Sequence, residues 1–354
     1  MLTKNSVFGS VVLPASMKKL LYTLILGLLC QLSNAQQKPQ YTQYIFNNLL
    51  LNPAVSGIEN YVDLKAGYRS QWTGLQGAPV TSYLTVSAPF GSDFVRGDAA
   101  AVSPGNEANP YSRLYSQNYE AAEPHHGLGF MMVSDQAGPI STTNIDATYA
   151  YHMGLASNFN LSLGVAAGLS HISLNTSQLL LENPNDPAIT NGNNSQWKPD
   201  LSIGVWGYSA DYYFGISAQQ LLSQNQYFTT TNKSYNQSKT IPQYFITAGY
   251  KAYLSDDITL VPSALLKVIQ PEPVAFDVNM KLAFRDRFWI GASYRNQDSF
   301  AGLLGLNISS LINISYSYDY TTSALRTVSN GTHEIVIGLM LNNQDRVVSP
   351  RHGW

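Results

Sequence analysis

The sequence predicts an all-β fold: a transmembrane, antiparallel, up-and-down β-barrel of about 14 strands with a short N-terminal plug-like segment. Three observations predict it. Apolar and polar residues alternate through most of the chain, the pattern of strands whose wall separates lipid from a polar lumen. Charged residues are only 12% of the chain, while tyrosine (23) outnumbers phenylalanine (13). A soluble surface normally carries about twice that charge. Finally, no apolar run after Leu29 approaches the roughly 18 residues a spanning helix needs.

Taken in order, the chain opens on an export signal. Lys18 and Lys19 precede an apolar run from Leu20 to Leu29 and a small-residue site, Ser33-Asn34-Ala35. That is the layout of a secretory signal peptide over residues 1–35, with Met17 as a candidate true start and cleavage expected near Ala35. The only cysteine, Cys30, falls inside this segment behind the bulky pair Leu28-Leu29, which argues against a lipid anchor. Residues 36–59 are expected to form an N-terminal plug or periplasmic segment and 60–342 the barrel, with a long loop insertion at 91–125. Residues 343–354 are a C-terminal tail.

Strands are expected at 60–69, 80–89, 126–134, 142–153, 159–172, 200–208, 212–221, 241–253, 258–268, 273–284, 288–296, 299–308, 311–320 and 332–342. From Pro273 to Arg285 one face reads Val274, Phe276, Val278, Met280, Leu282, Phe284, and the other Ala275, Asp277, Asn279, Lys281, Ala283, Arg285. The even count returns both ends of the barrel to one side, and tight connections at Ser157-Asn158, Ala210-Asp211, Asp256-Asp257, Asp286 and Ser309-Ser310 fall on that side. One connection disobeys. Gly91 to His125, about 35 residues, should be a short periplasmic turn. It is a functional insertion or the mark of a count that slips near strand three. A soluble β-sandwich would have to expose the aliphatic and tyrosine rows to water.

Inward charges are expected at Asp63, Lys65, Asp146, Asp277, Lys281, Arg285, Arg295, Asp319 and Glu334. They line a wet lumen or form cross-strand salt bridges, or else mark a selective solute pathway. Arginine at outward Phe276 or Ile314 is expected to cost about 2–4 kcal/mol, and at inward Asn279 or Ser315 far less. Chemistry-bearing motifs are lacking. His333-Glu334 has no second histidine, His125-His126 no carboxylate support, and the Asn/Asp-rich stretch Glu182 to Ser195 no regular calcium spacing. No nucleophile elbow, phosphate loop or paired cysteine occurs. The chain therefore reads as a non-enzyme with no cofactor and no metal, and its net charge of −2 offers nucleic acid no basic field.

Tyr41-Thr-Gln-Tyr-Ile-Phe-Asn-Asn, with Leu51-Asn52-Pro53-Ala54 and Gly57, resembles the N-terminal motif of the PorP/SprF family of type IX secretion membrane proteins. Arg69-Ser-Gln-Trp72-x-Gly74 followed by Gly77-Ala78-Pro79-x-Thr81 is similar to that family's second motif, in the same order. The resemblance implies an outer-membrane barrel beside the type IX translocon and its periplasmic ring components. Members help to export or hold a secreted substrate such as a large gliding adhesin. Partner-binding or lumen-plug residues are then expected at Tyr44, Phe46, Asn47, Asn52, Pro53, Arg69, Gln71, Trp72 and Pro79. The segment Gln40 to Gly57, broken at Asn52-Pro53, should tuck into the periplasmic end. Arg69 and Trp72 either anchor a partner or pair with a lumen acid and pack on Pro79. The alternative reading is a porin-like or hydrophobic-solute channel.

Overall fold

The computed structural model describes residues 40–91, 109–179, 195–224, 239–285, 287–343 and 348–350. The expected signal peptide with Met17, Cys30 and Ala35, the first half of the 91–125 insertion, all of the 182–195 stretch except Ser195, and Trp354 lie outside the described residues.

Among the described residues fifteen strand segments follow one another: β1 (Val62–Ser70), β2 (Val80–Phe90), β3 (His125–Ala137), β4 (Ile140–Ala156), β5 (Phe159–Leu174), β6 (Ser195–Tyr208), β7 (Tyr212–Gln219), β8 (Gln243–Tyr250), β9 (Ala252–Tyr253), β10 (Ile258–Val268), β11 (Ala275–Phe284), β12 (Phe288–Arg295), β13 (Ser299–Asn307), β14 (Ile312–Thr321) and β15 (Thr332–Leu341). The short β8 and β9 share one register against β10 and make a single stave, giving a closed antiparallel barrel of 14 strands. Each stave pairs with its sequence neighbours, and β15 closes on β1 from Val62 opposite Leu341 to Ser70 opposite His333. Such closure leaves no edge strand with unpaired backbone groups, which lipid would not tolerate.

The outer face explains the low charge. Phe276, Val278 and Met280 on β11, Ile290 on β12, Leu304 and Leu306 on β13, and Ile335 and Ile337 on β15 are all exposed. Aromatic side chains gather at both rims of this apolar band. Tyr68, Tyr244, Tyr294, Phe300 and Tyr320 stand at one, and Phe90, Tyr212, Tyr250, Phe284 and Phe288 at the other. They sit where girdle residues meet lipid headgroups.

The two ends differ as the sequence predicts. Tight turns between β4 and β5, β6 and β7, β9 and β10, β11 and β12, and β13 and β14 share one end, the turn end, with the start of β1 and the finish of β15. At the opposite, loop end lie the links 71–79 and 322–331, and the strands on either side of 175–194 and of 220–242 end there. The insertion does not disturb the count. It joins β2 to β3 at the turn end, and its described part, 109–124, carries a one-turn helix α1 (Arg113–Gln117) capped by the Ser112 hydroxyl.

Arg285 departs from the expected inward set. It has left β11 for a turn with φ 51° and pairs with Asp257 in water, because the alternation that aims side chains inward stops where the strand stops. The other eight point inward and all but Asp63, itself salt-bridged to Lys65, are buried.

Candidate functional site

A barrel of eight strands is filled by its own side chains, whereas 14 strands enclose space that other matter must fill. Here the chain supplies it. Residues 40–61 lie inside as three successive 3-10 turns, Gln43–Ile45, Asn48–Leu50 and Pro53–Val55, with Tyr44, Ile45, Leu49, Leu50, Leu51 and Ala54 buried. The segment does not stop at the turn end, where the sequence placed it. It begins at the loop end and descends the lumen, because its polar partners are distributed along the whole wall.

At the loop end the Arg69 guanidinium donates to Asp319 Oδ2 at 2.9 Å, to Glu334 Oε2 at 2.9 Å and to Thr42 Oγ1 at 3.0 Å. Thr42 closes the cluster from the other side. Its backbone N–H donates to Glu334 Oε2 at 2.8 Å and its hydroxyl to Asp319 Oδ2 at 2.6 Å. The Tyr83 hydroxyl takes the remaining Glu334 oxygen at 2.8 Å. Beside it Arg295 donates to Asp277, Asp298 and the Tyr41 carbonyl. Arg69 is 1% exposed, so its charge is compensated by the two carboxylates rather than by water. Arg69 thus takes the salt-bridged arrangement, inside the lumen.

Lower down, Asn279 Nδ2 donates to the Tyr44 hydroxyl at 2.6 Å, and the half-buried Phe46 ring lies 6.3 Å from Trp289 with the Lys65 ammonium 5.2 Å from its centre. Asn47 Nδ2 donates to Thr85 Oγ1 at 2.9 Å. Asn52 has two tasks. Its Oδ1 accepts the Ala54 N–H at 3.0 Å, capping the turn that Pro53 opens, while Nδ2 reaches the carbonyls of Val205 and Ile216 in the wall. Near the turn end the stacked His125 and His152 rings, 4.5 Å apart, face the carbonyls of Gly57 and Ser56.

The wall makes room for this backbone with glycine. A Cβ on Gly164 would stand 2.3 Å from the Ala54 nitrogen, and one on Gly204 would stand 1.9 Å from Asn52 Oδ1. Gly57 itself, at φ 73°, lies against the backbone of Gly127, so a side chain there would meet both strain and collision.

The described part of the insertion packs against the wall at the turn end. Tyr111 is gripped between Lys251 and Lys281, each about 5.1 Å from its ring centre, and its hydroxyl accepts from Lys281 Nζ at 3.0 Å. Tyr115 is buried, and the hydroxyl of Tyr119 accepts from Asn160 Nδ2 at 2.7 Å. Burial raises the Tyr111 hydroxyl above its ordinary pKa, keeping it a neutral donor or acceptor.

Gln71, Trp72 and Pro79 lie in the 71–79 loop, Gln71 buried and the other two partly exposed. The Gln71 N–H donates to the Pro79 carbonyl at 2.9 Å, and the Trp72 N–H to Thr332 Oγ1 at 3.1 Å. Thr73 exchanges backbone hydrogen bonds with Gly331 and Asn330, and Gly77 accepts from Gly138. These bonds lace three neighbouring loops into one rim.

Sequence reasoning missed Thr42, Tyr83, His152 and Tyr111. A threonine two residues before Tyr44 carries no chemical signal until Arg69 is known to face it. Inward Asn279 and Ser315 are 1% and 0% exposed, which overturns the expected mildness of arginine there: the lumen around them is packed, not wet. His333 and Glu334 point to opposite faces, the first exposed and the second buried, so they cannot share a metal; the same holds for exposed His126 and buried His125. Among the described residues no cluster of three or more histidine, cysteine or carboxylate side chains could hold a metal ion.

The family model for the type IX secretion system membrane protein PorP/SprF matches residues 33–339. The chain belongs to the PorP/SprF family. Both stretches that resemble the family motifs are therefore joined in space in this PorP/SprF barrel, since Thr42 of the first is held by Arg69 of the second. No curated protein sequence matches the chain. Similar solved structures include the toluene transporter TbuX of Ralstonia pickettii, at 9% identity and TM-score 0.47, covering 83% of this chain and 92% of that one. A FadL homologue of Pseudomonas aeruginosa is similar at 10% identity and TM-score 0.45, covering 87% and 95%. Omp33, an outer membrane protein of Acinetobacter baumannii, is similar at 7% identity and TM-score 0.43, covering 81% and 100%. The PorP/SprF barrel is an outer-membrane protein of a secretion system.

Proposed function

We propose that this barrel is a non-enzymatic component of the type IX secretion system that helps export a large surface protein or gliding adhesin and anchors it at the cell surface. Its partners are the secreted substrate, the translocon and its periplasmic ring components. The observation that carries the reading is the filled lumen. Residues 40–61 are tied to the wall along its height and Tyr111 to Tyr119 close the turn end, so the molecule is built as a rigid body that offers its two ends to partners. The loop-end rim, with the partly exposed Trp72 and Pro79 on loops braced by backbone hydrogen bonds, supports docking of a surface protein, because a pre-ordered surface loses little entropy on binding.

The test is to remove the protein from its cell and follow surface cargo by protease shaving, then restore it with a tagged copy. Loss of one or more type IX substrates from the surface, their return with the tagged copy and their co-isolation with it are the expected result. Unchanged cargo display would overturn the proposal.

A further inference from the structure

Among the described strands, every pairing in the wall but one joins staves that follow each other in the chain, where the connection limits the register. The exception is the closing seam. There β15 meets β1 across the ends of the barrel sequence, and no turn aligns them. The outer face of the seam does not choose a register either. Leu64 lies opposite Leu339, Ala66 opposite Ile337 and Tyr68 opposite Ile335. A slip of two residues, about 6.7 Å, would still set apolar or aromatic side chains against apolar ones. Selection is left to the inward face, where Arg69 stands directly opposite Glu334.

The groups that meet there come from the two ends of the barrel sequence and divide by chemistry. The first end supplies donors. The backbone N–H groups of Thr42 and Gln43 lie 2.8 and 3.3 Å from Glu334 Oε2, beside the Arg69 guanidinium and the Tyr83 hydroxyl. The last two strands supply acceptors: Glu334 on β15, and Asp319 on β14, which takes the Thr42 hydroxyl and Arg69 Nη2. Tyr41 braces the donors, its ring edge-on to that of Tyr83 with centres 5.5 Å apart. Donors and acceptors are separated in sequence by 250 to 292 residues. In a register slipped by two, Arg69 would face Thr332 or Val336, the inward neighbours of Glu334 on β15. The carboxylate of Glu334 would then lie about 6.7 Å from its place, beyond hydrogen-bond reach of either amide. The buried guanidinium would lose its counter-charge on the seam as well.

We propose that residues 40–43, with Arg69 and Tyr83, form a template that selects the register in which β15 closes on β1 during barrel assembly, by capturing Glu334 and Asp319. The lumen segment is placed for this. It is continuous with β1 at the turn end and meets the seam at the loop end, so the strand to be matched carries its own gauge. The Thr42 and Gln43 amides add to the Arg69–Glu334 pair two donors that are fixed by the backbone of the segment. This role belongs to assembly and does not depend on which cargo is held.

Cysteine pairs across the seam read the register in the outer membrane. Tyr68 and Ile335 are exposed on the outer face and lie opposite each other, so Tyr68→Cys with Ile335→Cys reports the native register. Tyr68→Cys with Ile337→Cys or with His333→Cys reports the two slipped ones. The only native cysteine is Cys30, within the expected signal peptide, so no other thiol competes. Products are scored only in barrels that heat-modifiable migration shows to be folded, because a loss of stability alone lowers their amount without changing their register. The parent should give the 68–335 product. Deletion of residues 40–43 behind an intact signal peptide should lower that product severalfold and raise a slipped one. Thr42→Val keeps both amides and loses only the hydroxyl that bonds Asp319 and accepts from Arg69, so it should show the same change to a smaller extent. Asn52→Ala frees the segment from Val205 and Ile216, on β6 and β7, and should leave the register native. A native register in folded barrels that lack 40–43 would overturn the proposal and leave the choice to the Arg69–Glu334 pair alone. Slippage in Asn52→Ala equal to that in Thr42→Val would overturn it too, since the segment would then act by its bulk. Should the deletion give no folded barrel, Thr42→Val decides, and an unchanged ratio of products there sinks the template.

Discussion

Arg69 and Arg285 follow the same rule in the sequence, each at an inward position of an alternating strand, and they end in opposite surroundings. Arg69 keeps its place inside β1, its side chain 1% exposed between two carboxylates that are 3% and 0% exposed. Arg285 sits one residue past the end of β11, its side chain 68% exposed and that of Asp257 58%. Alternation tells which face a side chain takes while the backbone stays extended, and nothing once a turn begins. The comparison also separates two kinds of ion pair. One joins three wall strands, and through Thr42 holds the lumen segment, in a medium that strengthens charge, and the other competes with water and salt.

The largest effect should come from breaking the buried member. Arg69→Ala leaves Asp319 and Glu334 facing each other with no adjacent guanidinium except Arg295, 4.0 Å from Asp319. Uncompensated buried charge of this kind costs about 3–5 kcal/mol. The fall should be visible as a lower urea midpoint for loss of the heat-modifiable form. Arg69→Lys should recover only part of it, since an ammonium cannot serve Asp319, Glu334 and Thr42 from the planar fork that a guanidinium provides. A midpoint unchanged by Arg69→Ala would mean that the cluster does not hold the fold together.

A smaller effect should separate the two faces of the wall with the same substitution. Gly164 faces the segment, where a methyl group would meet the backbone of Ala54 and of Pro53 at 2.3–2.5 Å. Gly302, exposed on β13, has nothing within 4 Å of the equivalent point. Overpacking costs about 1–3 kcal/mol where neither partner can move. Gly164→Ala should therefore lower the unfolding midpoint and increase protease cutting between residues 40 and 57, while Gly302→Ala should leave both as they are. Equal behaviour of the two would remove the evidence that the segment is pressed against the glycines.

The wall was legible because its rule is local and repeated. A period of two, read from Val274 to Phe284, gives both the face and the pairing without knowledge of anything distant, and the strands expected at 212–221 and 299–308 differ from β7 and β13 by two residues or fewer at each end. The lumen was legible only in part. Asn52-Pro53 and Gly57 mark an irregular segment, and the motif resemblance says that it matters, but its course depends on partners at residues 85, 205, 279, 319 and 334. No local pattern encodes contacts of that sequence separation. The same reason hid Tyr111, whose binding between Lys251 and Lys281 became readable only when the 91–125 connection was seen to enter the turn end.

The smallest effect belongs to the exposed pair, and it is the one that sharpens the comparison most cleanly, because here the two arginines should disagree. The guanidinium of Arg285 donates to both carboxylate oxygens of Asp257, at 2.8 and 3.3 Å, and this hydrogen bonding holds the Asp257 pKa below its ordinary value. A carboxyl whose pKa is depressed by folding adds stability above the unfolded value, about 3.9, and loses it as the pH falls through the lower folded value. The sign therefore predicts a contribution present at neutral pH and fading only in acid. Its size should be at the limit of detection, since water and salt screen a pair this open. Arg285→Gln should return the Asp257 titration toward the ordinary value when followed by the carboxyl resonance, while the urea midpoint at pH 7 stays put in high salt. If that variant instead lowered the midpoint as far as Arg69→Ala does, exposure would be no guide to the worth of a charge in this barrel, and the distinction between its lumen and its turns would rest on packing alone.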